Sequence, residues 1–356
     1  MKVYLSYIII LIVLNTFLKT NKREKNRNLF LGIALILILF ISCFRAPSVG
    51  VDTYQYYSIY KSIAQRDLDE CFQTYRFEKG YIVFCKLLTT ISENPQFLIV
   101  VSSIIINCAV FYFIKENSIN PFLSVLYYVF LNYYFWYLSA MRQALAIAII
   151  LVGYTFFYKN NKIKEFYITI FIAAMFHTSA IFSFFLFLIP NKYKYNKFIF
   201  GISILVSVIA FAFSNHIFVL LAGKYSYYIG SSFMHGSNFA GYVIYFMTLC
   251  FLIFAHIFAK DRILEDKYFN NYIFILSTNL ILCSLSIKTS IFSRLTPYCE
   301  IYNCIFIPYV LNNIKRESNK KIVIPFLNCM IFLYWMVILL YRPEWFGAVP
   351  YISILK

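Results

Sequence analysis

The stretch LFLGIALILILFISCFRAPSVGVDTYQYY, Leu29 to Tyr57, decides the fold class. Its first sixteen residues, Leu29 to Phe44, carry no charge, and the next thirteen bring an arginine, a proline, a glycine, an aspartate and three tyrosines. A helix rises ~1.5 Å per residue, so an uncharged run of this size approaches the ~30 Å of a bilayer's hydrocarbon core. The chain crosses oil and comes out at Arg45.

Working outward, the same pattern repeats. Of 356 residues 61% are hydrophobic and 13% charged, where a soluble protein carries ~25% charge. Apolar runs lie at 3–18, 29–44, 80–92, 95–114, 121–141, 143–158, 166–189, 198–222, 240–259, 269–287, 292–311 and 322–341. Irregular backbone cannot face lipid, and alternating strands of about ten residues are absent, which leaves helices as the spanning element. The expected fold is all-α: a polytopic helical membrane protein with about 10–12 transmembrane segments in a single integral-membrane domain over 1–356. Its outer loops are 45–79 and 223–239, the first carrying an interfacial helix. Val3 to Leu18 has no small-residue cleavage site or preceding basic region and reads as a retained helix.

A net charge of +17 raises the question of nucleic acid, but the basic residues sit in short loops and build no long basic face. That is the positive-inside bias. Lys19, Lys22, Arg23, Lys25 and Arg27 crowd the first connector, which places it in the cytoplasm and the amino terminus outside. Nine cysteines show no metal-ligand spacing and most lie inside apolar runs, so no disulfide framework is expected.

Strict alternation of twelve crossings puts Lys159, Lys162 and Lys164 outside and Arg142 inside, against that bias. The charges sort better if 80–92 does not cross and 166–189 re-enters from the cytoplasm. Segment 80–92 carries Lys86 and an apolar stripe of Phe77, Tyr81, Phe84, Leu88 and Ile91, which suits an interfacial or re-entrant helix. A single helix over 121–158 would measure ~57 Å and must turn. The polar place to turn is Ser139-Ala-Met-Arg-Gln143, which brings Arg142 to the mouth of two helices.

Several residues invite a chemical reading beside a structural one. Arg45 either snorkels to headgroups or belongs to a site with Asp52, which it reaches through Pro47 and Gly50. Asp52 opens a capping box with Gln55, ahead of a face of Tyr56, Ile59, Tyr60 and Ile63. Arg142 and Gln143 are either interfacial or functional. His177 stands about eleven apolar residues from either end of its run, where an ionisable group is costly; the plain alternative is a neutral ring bonded to a carbonyl. Arg294 and Glu300, ~9 Å apart along a helix, either pair with each other or serve a site with Tyr298. Asp67-Leu-Asp69 is a weak divalent-metal pattern. No nucleotide loop, zinc pattern or hydrolase elbow occurs.

Four motifs fall in one order: Arg45, Gly50, Asp52, Thr53 and Tyr56; Glu78 to Tyr81; Arg142-Gln-x-Leu-Ala146; and Phe176-His-x-Ser-Ala180. Together they resemble the EpsG family, the Wzy-like polymerases of bacterial exopolysaccharide, capsule and O-antigen. The likeness is strongest from 45 to 180 and weaker later, where Arg294, Tyr298, Pro308 and the terminal Val-Pro-Tyr351 fit. It implies an enzyme of the bacterial cytoplasmic (inner) membrane, a glycosyltransferase that moves a growing glycan from undecaprenyl diphosphate to a sugar hydroxyl of a lipid-linked repeat unit.

Under that resemblance Arg45, Asp52, Arg142, His177 and Arg294 are catalytic candidates, and Tyr56, Glu78, Gln143, Tyr298 and Glu300 are substrate-binding candidates. The family offers no role for Glu300. Arginine suits a leaving diphosphate because it stays protonated and binds two oxygens at once. Neither cofactor nor metal is expected. The expected partners are the undecaprenyl-diphosphate-linked oligosaccharide, membrane lipid, and a chain-length regulator and flippase of the same pathway, with no nucleic acid. Two competing readings are a metal-dependent lipid-phosphosugar glycosyltransferase using Asp67 and Asp69, and a non-enzyme flippase whose arginines would line an aqueous path.

Overall fold

In the computed structural model, which describes residues 1–20, 23–188, 197–221, 239–258 and 266–355, the apolar runs are helices whose ends are set by particular residues. Asn94 accepts from the Gln96 N–H with Pro95 at the first helical position, and Asn120 accepts from the Leu123 N–H ahead of Pro121. Each cap satisfies a first-turn donor that has no partner inside its helix, and proline costs little where the N–H would be orphaned anyway. Asp266 caps Tyr268 and Phe269 likewise.

Seven helices among the described residues are long and apolar enough to cross a bilayer: Glu24–Cys43, Pro95–Asn117, Met141–Tyr158, Phe198–Leu220, Phe239–Phe258, Lys267–Lys288 and Ser318–Tyr341. Lys2–Leu18, Pro121–Phe130 and Asn303–Asn312 are shorter apolar helices. The protein is a multi-pass helical membrane protein. Its chain divides into two compact units, one of Met1–Ile181 with Pro325–Lys356 and one of Phe182–Ile324.

The first unit contains α1 (Lys2–Leu18), α2 (Glu24–Cys43), α3 (Thr53–Ala64), α4 (Leu68–Thr74), α5 (Lys79–Thr89), α6 (Pro95–Asn117), α7 (Pro121–Phe130), α8 (Tyr133–Ser139), α9 (Met141–Gly153) and α10 (Ile163–Ala174). Its two ends differ in chemistry. At one end Arg27 donates to the Lys115 carbonyl and Lys159 to the Glu116 carbonyl, which joins the start of α2, the end of α6 and the connector after α9. At the other end Gln96 bonds the carbonyls of Cys43 and Arg45, the start of α9 meets the end of α8, and Tyr4 reaches Ala348. Lys159 therefore shares the end of the first connector, at Arg27, and Arg142 lies at the other end. Twelve strictly alternating crossings would require the reverse. Lys22 and all of outer loop 223–239 except Phe239 lie outside the described residues.

Three apolar runs fold differently from their simplest reading. The run 121–141 breaks at Leu131-Asn132, where Asn132 takes φ 64°, a left-handed conformation that asparagine tolerates better than most residues. The run 166–189 breaks after α10, passes through Met175–His177, and resumes as a 3₁₀ turn at Thr178–Ile181. The run 292–311 is a 3₁₀ turn at Ser290–Arg294, a short helix at Pro297–Glu300 and a ten-residue helix at Asn303–Asn312. The turn expected between Ser139 and Gln143 occurs there, at Ala140.

Eleven residues make α5 about 16 Å long, too short to cross. Its buried face is Tyr81, Ile82, Cys85 and Leu88, while Ile91 lies past the helix end and is exposed. Thr53, Tyr56, Tyr60 and Ile63 of α3 are buried, and α3 packs on α5 and α6. Tyr60 donates to the Ser92 carbonyl at 2.7 Å.

In the second unit, α11 (Lys197–Leu221), α12 (Phe239–Phe258) and α13 (Lys267–Lys288) pack with α13 between the other two. Small polar contacts hold them: Asn279 to Thr248, and Thr289 to Asn215 and Ser214.

Candidate functional site

The conformation of the Arg45 turn comes from glycine and threonine. Gly50 has φ +101°, and a Cβ there would sit 2.6 Å from the Leu138 carbonyl oxygen, so glycine alone permits this approach. Thr53 Oγ1 donates to the same oxygen at 3.0 Å. Arg45, 2% exposed, donates to the Ser42 carbonyl and Ser103 Oγ at 2.8 Å each and reaches Leu138 O at 3.5 Å. Ser42 and Leu138 belong to the last turns of α2 and α8, whose unsatisfied carbonyls carry partial negative charge. Arg45 thus pins two helix ends together from within, and its side chain is not presented to the surface.

The carboxy-terminal segment closes over this turn. Gly50 N–H donates to Gly347, Ala46 N–H to Ile352 and Ile354 N–H to Phe44, each at 2.9 Å. Ser139 Oγ donates to the Phe346 carbonyl and accepts from Val51 N–H.

Beside this support lies a charged group drawn from three motifs. Arg142 begins α9 and its Nη1 is 2.5 Å from Glu78 Oε2. The guanidinium carbon stands 4.0 Å from the centre of the Phe77 ring and 5.9 Å from that of Tyr81. Tyr56 acts electrostatically on Arg142 as well. The second Glu78 oxygen accepts from Thr178 N–H at 2.9 Å and from Thr178 Oγ1 at 3.1 Å. One carboxylate therefore joins the start of α5, the start of α9 and the break after α10.

Glu78 also explains how the freed backbone of that break is satisfied. Backbone groups freed from a helix need partners where water is absent. Thr178 N–H finds Glu78, and the Met175 carbonyl accepts from Tyr81 N–H at 3.2 Å. The fit requires Gly80, since a Cβ there would meet Met175 Cβ at 2.6 Å and its carbonyl oxygen at 2.7 Å. Gly80→Ala is expected to push the start of α5 off the break and cost about 1–3 kcal/mol, the range for overpacking. Thermal unfolding of the purified protein measures it, and an unchanged midpoint would show that the contact yields freely.

Burial alone raises the Glu78 pKa. Arg142, the Thr178 N–H and His177 outweigh it and hold the carboxyl below its ordinary value. Glu78 is thus a spoken-for anion and a poor proton acceptor. His177 is half-buried in the break, not inside a helix, with Nδ1 2.6 Å from Ser179 Oγ. Asp52 holds the N-cap position of α3 without a capping bond, so the predicted capping box does not form. Its charge acts on Tyr56, which links it to the Arg142 group.

The remaining candidates sit elsewhere. Gln143 is buried, facing away from solvent one residue after Arg142. In the second unit Arg294 is exposed, Tyr298 is buried and Glu300 is half-buried with Oε1 lacking a hydrogen-bond partner. No continuous helix joins 294 to 300, so the expected helical spacing does not apply. Thr178 and Phe77 escaped the sequence reading as parts of this arrangement, and of the segment 346–354 only Val-Pro-Tyr351 entered it, through the family resemblance. Phe77 offered one clue, an aromatic residue directly before Glu78.

The arrangement can present a planar, ring-backed, carboxylate-oriented guanidinium at the mouth of a membrane helix, with a carboxylate and a histidine nearby. No curated protein and no solved structure matches the chain. Residues 28–353 match the EpsG family, a stretch that takes in the Arg45 turn, the Glu78–Arg142 pair, the His177 break and the carboxy-terminal strap. The chain belongs to the EpsG family.

Proposed function

We propose that the protein is a membrane polymerase of bacterial surface polysaccharide, acting on the outer side of the cytoplasmic membrane on glycans carried by undecaprenyl diphosphate. Membership of the EpsG family supports a role in polysaccharide polymerisation. The observation that carries the finer reading is the Arg142 group, where three motifs far apart in sequence supply one oriented cation.

In the reaction, an acceptor hydroxyl of the incoming repeat unit attacks the anomeric carbon of the growing glycan. A C–O bond forms, the bond from that carbon to diphosphate breaks, and undecaprenyl diphosphate leaves with the electron pair. Arg142 holds the developing charge through its planar fork. The hydroxyl proton passes to Asp52 or His177, because both Glu78 oxygens are engaged. Tyr56 keeps Arg142 in place, and Arg45 acts as a positioning residue through Leu138. Arg294, Tyr298 and Glu300 stay as candidates of the second unit, without a step assigned.

The test uses purified protein in lipid nanodiscs with an undecaprenyl-diphosphate-linked repeat unit. Chains should lengthen and undecaprenyl diphosphate should accumulate in equal number to the linkages made. Lengthening should persist in EDTA, with Asp67→Asn and Asp69→Asn near neutral. Activity that dies under chelation and returns with magnesium or manganese would instead favour the metal-dependent transferase. Lipid-linked oligosaccharide that crosses the bilayer without lengthening would favour a flippase.

A further inference from the structure

At the end of the first unit opposite Arg142, α2 and α6 open a groove of about 380 Å³. Its walls are Asn28, Leu31, Gly32 and Leu35 on α2 and Cys108, Phe111, Tyr112 and Lys115 on α6. Both sets follow the i, i+3, i+4, i+7 spacing of a single helix face. The floor is apolar, the mouth is polar, and both helices belong to candidate spans, so the groove runs from hydrocarbon depth to the interface.

Two features make this more than a gap between helices. Gly32 faces open space: a Cβ there would meet nothing within 4 Å. At the mouth, Arg27 lies against α6 with Nη2 on the Lys115 carbonyl at 3.0 Å, yet its Nε is buried and has no hydrogen-bond partner. Lys115 lies at the same mouth, with the neighbouring Glu116 3.7 Å from its Nζ, and Lys159 reaches the Glu116 carbonyl. Arg27, Lys115 and Lys159 outnumber the carboxylates of Glu24 and Glu116, which leaves the rim positive.

We propose that this groove binds a phospholipid with an anionic headgroup, its acyl chain against Leu31, Gly32, Leu35 and Phe111 and its phosphate at Arg27 and Lys115. A cationic rim above an apolar trough matches a phosphodiester above a hydrocarbon chain. A zwitterionic lipid fills the trough equally well but leaves the rim's charge uncompensated. The reading is independent of the Arg142 chemistry and lies at the other end of the helices.

Native mass spectrometry of the full-length protein, equilibrated with dioleoyl phosphatidylglycerol or dioleoyl phosphatidylcholine, tests it. Wild type should retain the anionic lipid about thirtyfold better, the scale set by two cations at a membrane surface. Arg27→Gln with Lys115→Gln should bring the two lipids close to equal. Gly32→Leu fills the groove and improves helix propensity, so retention should fall several-fold with no loss in thermal midpoint. Equal retention of both lipids by wild type, or wild-type retention of phosphatidylglycerol by Gly32→Leu, would overturn the proposal.

Discussion

Arg142→Lys is expected to collapse the polymer to single repeat units, with the protein present in the membrane at its wild-type level. Lysine keeps the positive charge and a long apolar stem, so snorkelling to headgroups survives the change. What it loses is the planar fork. The guanidinium stands 4.0 Å from the Phe77 ring centre while engaging Glu78 and Tyr56. An ammonium is a compact, strongly hydrated point charge that holds Glu78 but cannot also present paired donors to a diphosphate. Losing one preorganised contact to a developing charge costs roughly 3 kcal/mol, a factor of about a hundred in rate. The readout is a gel of surface glycan, where a ladder of long chains shrinks to its lowest rung. Normal-length polymer from Arg142→Lys, at equal abundance, would return the residue to an interfacial role and remove the main support for the proposed chemistry.

Spans were legible because their signals are local. Apolar runs and the Asn94-Pro95 and Asn120-Pro121 pairs mark helix starts by the chemistry of orphaned first-turn donors, which needs no distant partner. The placement of Lys159 at the same end as the first connector also followed from loop charge alone. Breaks were harder to see. The run 166–189 looks continuous because its broken backbone is satisfied by Glu78 and by Tyr81 N–H, about a hundred residues upstream. Asn132 did carry a local hint, as a residue that tolerates a left-handed backbone, but one asparagine in an apolar run is weak against its neighbours.

Within the candidate site, residue types were legible and partnerships were not. Glu78 and Arg142 each stood out, but nothing in their spacing says that one carboxylate serves both Arg142 and Thr178. Arg45 shows the opposite limit. An arginine at a helix end beside Gly50 and Asp52 suggests a surface cation, whereas its fork is consumed by Ser42, Ser103 and Leu138 in the interior. The motif around it therefore combines two tasks: Arg45, Gly50 and Thr53 fix the backbone, and the charges of Asp52 and Arg142 both act on Tyr56.

Glu78→Ala should be the most damaging single change to the architecture of this group, and Glu78→Gln should separate its charge from its shape. Alanine leaves the Arg142 guanidinium without its ion-pair partner and frees the Thr178 N–H. Breaking a buried pair costs ~3–5 kcal/mol, but both side chains keep nearly a fifth of their surface exposed, so about 2 kcal/mol is the better figure. Glutamine still accepts from Thr178 through its amide oxygen, and in place of the charged acceptor facing Arg142 it sets an uncharged NH2 donor. Its unfolding midpoint should fall between those of wild type and Glu78→Ala. Acidity adds an independent check. Because the folded pKa of Glu78 is depressed, its contribution is fully present above the unfolded carboxyl value of ~4.3 and is lost as pH falls through the lower folded value. Wild type should therefore lose stability below about pH 4.3 more steeply than Glu78→Gln, which has no group to protonate there. Parallel curves for the two proteins across that range would mean that the Glu78–Arg142 pair contributes nothing, and that Arg142 is held by Phe77 and Tyr56 alone.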